Sequence, residues 1–161
     1  MKNLGKEIAR LKDVNGLKKL MDKNIKRNPN YYRERMRLLD EFFDKHQSPV
    51  DIAIVLYGAL FDAHHLAYHM EENNLLFYRP KTSHKRNIES AFLEGDVHPE
   101  RTLLIWDSDM ITGNAMTETA EFFTKSGYDR SKIFGYLDEG CKWRNYNIPE
   151  LMHIDDLLKK T

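Results

Sequence analysis

The spacing of apolar residues changes in character near residue 50. Up to residue 46 the spacing is helical. Two groups show it: Leu17, Leu20, Met21 and Ile25, and then Tyr32, Met36, Leu39 and Phe43. Asn28 followed by Pro29 is typical of a helix start, with Asn as the cap and Pro at the first helical position. Gln47-Ser48-Pro49 breaks the pattern, so residues 1–49 are predicted to form a helical head.

From Val50 onward, short apolar runs alternate with segments predicted to be helices and loops. Four runs are predicted to be buried strands, over residues 52–57, 75–78, 102–106 and 132–137. Helices are predicted over residues 62–73 and through Phe122 and Phe123, the latter ending at Ser126-Gly127. Alternating strands and helices predict an α/β fold with a parallel sheet, whose ligand sites lie at the carboxyl ends of its strands. This core is predicted over residues 50–161, forming one compact unit with the head.

Composition places the chain among globular proteins. It has 161 residues, 41% apolar and 31% charged, which suits one domain with a sizeable core and excludes disorder, collagen and a disulfide scaffold. A single cysteine, Cys141, rules out an intrachain disulfide and favours a reducing compartment. The N-terminus lacks an apolar signal core and no apolar run is long enough to span a bilayer. We therefore expect a soluble, cytoplasmic protein with no membrane partner.

Charge is distributed unevenly along the chain although its sum is zero. The 25 basic and 25 acidic residues cancel, which argues against a dedicated nucleic-acid binder. Residues 1–37, however, carry 12 Lys and Arg against 4 acids, a balance of +8, so the remaining residues sum to −8. The basic head is interpreted as a solvated helical face, a hood over a nucleobase, a homodimer contact or a patch for RNA or DNA. The nucleic-acid interpretation is disfavoured because the head has no recognisable groove-reading motif.

The segment from Leu103 to Thr117 carries the most informative chemistry. A predicted strand ends at two acids, Asp107 and Asp109, and the chain then passes through Thr112-Gly113-Asn114 into a helix. The first N–H groups of a helix favour a bound anion, the glycine permits close approach of the backbone, and two threonines offer hydroxyl donors. The acids can hold sugar hydroxyls or a hard cation such as Mg²⁺. The segment therefore predicts a phosphate site beside acidic groups; the alternative is a plain strand-turn-helix connection with solvated aspartates.

This order of parts resembles the phosphoribosyl-diphosphate (PRPP) signature of type I phosphoribosyltransferases, in which an apolar strand is followed by two acids and then by Thr-Gly opening a helix. The resemblance covers roughly residues 50–158. It implies a phosphoribosyltransferase-like, Rossmann-like α/β fold with Mg²⁺ as cofactor. It implies that Asp107 and Asp109 are catalytic residues and that they hold the ribose and Mg²⁺. It assigns the phosphate loop to Thr112, Gly113, Asn114 and Thr117.

Two further groups of residues take roles from the same resemblance. A cationic stretch at residues 79–87 stands where the family has a mobile loop over the diphosphate, and its candidate ligands are Arg79, Lys81, Lys85 and Arg86. Trp143 and Tyr146 stand near the segment with which the family stacks the base. The alternatives are a solvated loop for the first group and packing over the core for the second.

Other positions depart from the family pattern. Ser108 stands where the second acid is expected, so that acid comes one residue late, and Ala115 replaces a hydroxyl. We expect a protein that binds PRPP or a nucleotide and, if catalysis is retained, transfers phosphoribosyl between diphosphate and a nucleobase. A catalytically inactive nucleotide-sensing or regulatory protein is one alternative. The other is a Mg²⁺-dependent phosphatase that resembles the haloacid dehalogenase family and uses Asp107 and Asp109.

Overall fold

The computed structural model describes residues 29–46, 49–56, 66, 74–81, 92–107, 113–137 and 150–159. Its elements in chain order are α1 (Pro29–His46), β1 (Val50–Val55), β2 (Asn74–Arg79), β3 (Phe92–Glu94), β4 (Thr102–Trp106), α2 (Asn114–Lys125), a 3₁₀ turn (Arg130–Lys132), β5 (Ile133–Leu137), β6 (Glu150–His153) and α3 (Ile154–Lys159). None of these helices combines the length and the apolar character needed to cross a bilayer.

The strands form one six-stranded sheet in the order β3-β2-β1-β4-β5-β6. The four central strands, β2, β1, β4 and β5, run parallel to one another, whereas β3 and β6 pair antiparallel with β2 and β5 at the two edges. The predicted α/β class with a parallel sheet is therefore confirmed for the centre of the sheet, and the sheet as a whole is mixed. All four predicted strands are present, with β1 and β2 starting earlier than expected. The predicted helix over 62–73 lies outside the described residues except for Leu66, which is helical.

Helices cover both faces of the sheet. On one face, α2 and α3 pack over alternate residues of the two innermost strands, including Ala53, Val55, Leu103 and Ile105. On the other face, α1 and Leu66 cover the intervening residues Ile52, Ile54, Leu104 and Trp106. All of these residues are almost completely buried, as strands covered on both faces require. The sheet therefore lies in the middle of a three-layer core.

Helix α1 is described from Pro29 onward, and its buried face differs in part from the predicted one. Arg35, Leu39 and Phe42 are buried, whereas Met36 and Phe43 are only partly buried. The two stripes thus share Leu39, and the packed one contains Arg35 and Phe42 where the predicted one has Met36 and Phe43. An arginine occupies a core position, which a pattern of apolar residues does not reveal.

A polar network lies at the amino edge of the sheet, where β1 begins. Asp51 is fully buried in β1. One of its oxygens lies 3.3 Å from Asn74 Nδ2 and 3.3 Å from an Arg101 guanidinium nitrogen. The other accepts the His98 backbone N–H at 3.0 Å and the Tyr128 hydroxyl. Burial and the bond to Asp51 raise the pKa of the Tyr128 phenol well above its usual range, so this hydroxyl keeps its proton and donates.

Candidate functional site

The carboxyl ends of β1, β2 and β4 lie at one edge of the sheet because these strands are parallel neighbours. Asp107 follows directly after β4 at this edge and is only 4% exposed. Leu103 and Ile105 face the α2 layer, and continuing this alternation places Asp107 on the same side. Acidic side chains are seldom buried to this extent unless they bind another group of the protein or a ligand. Asp107 is therefore distinct from a solvated surface acid.

The start of α2 is formed by a glycine in a left-handed conformation. Gly113 has φ 73° and stands at the N-cap position, where no side chain makes a capping hydrogen bond. A residue with a Cβ adopts this φ only at a cost, so the turn into α2 favours glycine here. Only residues 108–112 join Asp107 to this glycine. The carboxyl end of β4 and the amino end of α2 are thus tied closely together in the chain.

Thr117 uses its hydroxyl within the helix. Its backbone N–H and its Oγ1 both donate to the carbonyl oxygen of Gly113, at 2.9 Å and 3.0 Å. A hydroxyl has one proton, so donation to a phosphate would require this group to rotate away from Gly113. Asn114, the first residue of α2, is exposed. The structure thus describes three of the four residues predicted for the phosphate loop, and the remaining one, Thr112, lies outside the described residues.

Two contacts align the end of β2 with α2. The backbone N–H of Lys81 donates to Glu118 Oε1 at 2.5 Å. The ring of Tyr78 stacks on Phe122, with centroids 4.5 Å apart and planes at 27°. Burial, with the Glu118 carboxylate, raises the pKa of the Tyr78 phenol to about 12. The carboxyl edge of β2 is therefore anchored beside the first turns of α2, next to the candidate site.

The predicted cationic loop begins later than expected. Arg79 is the last residue of β2, where it pairs with Phe92 of β3, so it belongs to the sheet and not to a loop. Its Nε atom is buried. Lys81 is exposed just beyond the strand. The other predicted members, Lys85 and Arg86, lie outside the described residues.

Asp109, Trp143 and Tyr146 also lie outside the described residues, so their predicted roles are not addressed by the structure. Within the part of the chain that is described, no group of three or more His, Cys, Asp or Glu side chains could together hold a metal ion. Mg²⁺ does not need such a cage, because it commonly binds through one or two carboxylates and the phosphates of a substrate. Asp107 fits as one such carboxylate ligand.

A group that the sequence did not predict lies on the other side of β4. Trp106 and Tyr136 stack face to face, with centroids 3.7 Å apart and planes at 2°. Arg35 of α1 places its guanidinium carbon 5.4 Å and 5.5 Å from the two ring centroids. Its Nε donates to the Tyr136 hydroxyl at 3.2 Å. The only signal in the sequence is an arginine four residues before Leu39, on the face that proves to be buried.

Comparison with known proteins finds similarity only at the level of structure. No family model matches the sequence, and no curated protein sequence matches it. The APRTase of Giardia lamblia, solved in complex with 9-deazaadenine, is 13% identical with a TM-score of 0.49, over 70% of this chain and 68% of that one. The xanthine-guanine-hypoxanthine phosphoribosyltransferase of Helicobacter pylori is 14% identical with a TM-score of 0.39, over 67% of this chain and 71% of that one. The likeness to both concerns the fold alone.

Proposed function

We propose that the chain binds a phosphoribosyl ligand, either PRPP or a nucleotide, at the carboxyl edge of its sheet. The observation that carries the proposal is the buried carboxylate of Asp107, six residues before a left-handed glycine that opens α2. A solvated connection between strand and helix would need neither feature. The resemblance of the segment to the PRPP signature gives the ligand class.

In this proposal the backbone binds the phosphate and the acid binds the sugar. The N–H groups at the start of α2 and the positive end of its dipole suit the 5′-phosphate. Gly113 presents no side chain between that phosphate and the backbone. Asp107 accepts hydrogen bonds from the ribose hydroxyls. The same carboxylate would hold Mg²⁺, which when bound would neutralise the charge of a diphosphate.

The reaction proposed for this site is phosphoribosyl transfer. A base nitrogen forms a bond to C1′ of the ribose while the bond from C1′ to the diphosphate oxygen breaks; diphosphate leaves with the electron pair, and the proton on the attacking nitrogen is released to solvent. The transition state resembles an oxocarbenium ion, so the protein contributes mainly by orienting the ribose and by stabilising negative charge on the leaving group. The cationic residues Lys81, Lys85 and Arg86 are proposed for the second task.

A non-catalytic version of the same site is the second candidate. Ser108 replaces a carboxylate and Ala115 removes a hydroxyl that the PRPP signature would supply. These changes favour a chain that binds the ligand without turning it over. Such a chain would sense a nucleotide or PRPP for regulation.

Thermal unfolding with added ligand tests the proposed binding. A ligand that binds only the folded chain raises its midpoint by mass action. We expect PRPP with Mg²⁺, or a nucleoside monophosphate, to raise the midpoint of the wild type and not that of D107N. The control is D156N, because Asp156 is an exposed acid of α3 far along the chain from the site. A midpoint unchanged by every phosphate ester would contradict the proposed function.

Product analysis then separates the candidate activities. If PRPP binds and diphosphate is released only when a nucleobase is added, the chain is a transferase. If PRPP binds but no base consumes it, the sensing function is correct. Release of inorganic phosphate from a simple ester, abolished in D107N, would instead show the phosphatase activity.

A further inference from the structure

Arg35 is a buried cation of α1 that lies at the same edge of the sheet as Asp107. It is 2% exposed. Its guanidinium lies at nearly equal distances from two parallel rings, so it sits beside the stack and touches both rings instead of covering one. The bond from Nε to the Tyr136 hydroxyl fixes its orientation. Arg35 thereby joins α1 to two strands at once.

Those strands end next to the candidate site. Trp106 is the last residue of β4 and Tyr136 is its partner in the β4–β5 register. The stacked rings are therefore a cross-strand pair, and their position determines where both strand ends lie. Asp107 is bonded directly to Trp106, so a shift of that ring moves the backbone that carries the carboxylate.

We propose that Arg35 is a positioning residue of the carboxyl-edge site: it holds the Trp106–Tyr136 pair against α1 and so orients Asp107. The inference rests on the proposed function and adds to it a residue from the helical head. A buried charge carries a desolvation cost that an apolar side chain of similar size would avoid. The planar guanidinium offers in return a directional bond and contact with both rings, which is what orientation requires.

The test compares four variants of the full chain with the wild type. R35M removes the charge and the hydrogen bond, R35K keeps the charge without the planar donor, and Y136F removes only the hydroxyl. R33M is the matched control, because Arg33 is exposed on the same helix. Titration with PRPP and Mg²⁺ gives an apparent Kd, and near-ultraviolet circular dichroism reports the Trp106 ring. For the spectrum alone, each variant also carries W143F, which leaves Trp106 as the sole tryptophan.

We expect R35M to raise the apparent Kd about tenfold and to weaken the Trp106 band, because residues that orient the ligands of a metal typically contribute about 10- to 100-fold to affinity or activity and Arg35 would orient Asp107 in the same way. R35K and Y136F should shift both measurements in the same direction by less, and R33M should shift neither. A lower melting midpoint in R35M with an unchanged Kd and spectrum would overturn the proposal, because Arg35 would then act on stability alone. If R35M does not fold, the test rests on Y136F, and an unchanged apparent Kd in that variant overturns the proposal.

The proposed function and the role of Arg35 fail in different ways. A wild-type chain that binds no phosphorylated ligand overturns the proposed function and, with it, any role of Arg35 in binding. A wild-type chain that binds PRPP or a nucleotide, matched in affinity by R35M, overturns the role of Arg35 and leaves the function intact.

Discussion

The groups around the Asp51 carboxylate offer it protons, and the His98 ring nitrogen Nδ1, 3.3 Å from Oδ1, does so in the tautomer that is protonated at Nδ1. The Asn74 amide, the His98 backbone, the Arg101 guanidinium and the Tyr128 hydroxyl all donate or can donate to it. A carboxylate is the one common side chain that accepts at both of its oxygens without donating. The hydrogen-bond donors around position 51 therefore favour an aspartate there, in addition to the effect of burial. This network joins β1, β2 and the segment between β3 and β4 at the amino edge.

Asp51→Asn should destabilise the fold by about 2–4 kcal/mol, because an amide N–H₂ would face donors and leave buried partners unpaired. The free energy of unfolding from urea denaturation measures the change. D156N is the control: Asp156 and Lys159 form an exposed pair, so its effect should stay within about 0.5 kcal/mol. A similarly small effect at Asp51 would show that the network contributes nothing to stability.

At the scale of elements, α1 ends in a histidine that packs against rings. The His46 imidazole lies 4.4 Å from the Phe42 ring and 4.7 Å from the Phe134 ring, beside a cavity of about 330 Å³. Burial lowers the pKa of His46 below its usual 6.5, and neighbouring Lys45 adds to the effect. The contact between α1 and β5 therefore depends on a neutral ring.

Because the folded-state pKa of His46 is the lower one, the unfolded chain takes up the proton first as the pH falls. The contribution of His46 is complete above pH 6.5 and is lost as the pH falls through the folded-state pKa. As the pH is lowered below about 6.5, the melting midpoint of the wild type should therefore fall by more than that of His46→Phe, which keeps a ring without a proton to gain. Parallel curves for the two proteins over this range would contradict the assignment.

The close contact of α3 with β5 is possible because Gly135 of β5 has no side chain. A Cβ at Gly135 would lie 2.7 Å from Leu157 Cδ1 and 3.4 Å from Ile154 Cδ1. Gly135→Val should lower the free energy of unfolding by about 1–3 kcal/mol, because α3 must move away from the strand. In a Leu157→Ala background the same change should cost less, since the space has been vacated. Equal costs in both backgrounds, measured by urea denaturation, would rule out this contact as the cause.

At the scale of the whole molecule, the sequence predicts what local patterns encode. The central strands are short, mostly apolar runs, and burial on both faces makes such runs necessary, so they were predictable. The short edge strands Phe92–Glu94 and Glu150–His153 were not, because each is partly polar and forms only by pairing with a strand distant in sequence. The same limit applies to the site. Asp107 follows a recognisable strand, whereas Arg35 reaches that edge only through the packing of α1.

The uneven charge of the chain predicts how copies of the molecule interact. Residues 1–37 carry +8 and the remainder −8, so at pH 7 there is no net repulsion and the oppositely charged segments of two molecules attract. Salt screens this attraction, since the Debye length falls from about 30 Å at 0.01 M to about 10 Å at 0.1 M. Light scattering at pH 7 should therefore show attraction between molecules in dilute salt that weakens as NaCl is added. Sucrose, which leaves charges unscreened, should not reproduce the change. Repulsion that is strongest in dilute salt would show that the two charged regions do not act on separate molecules.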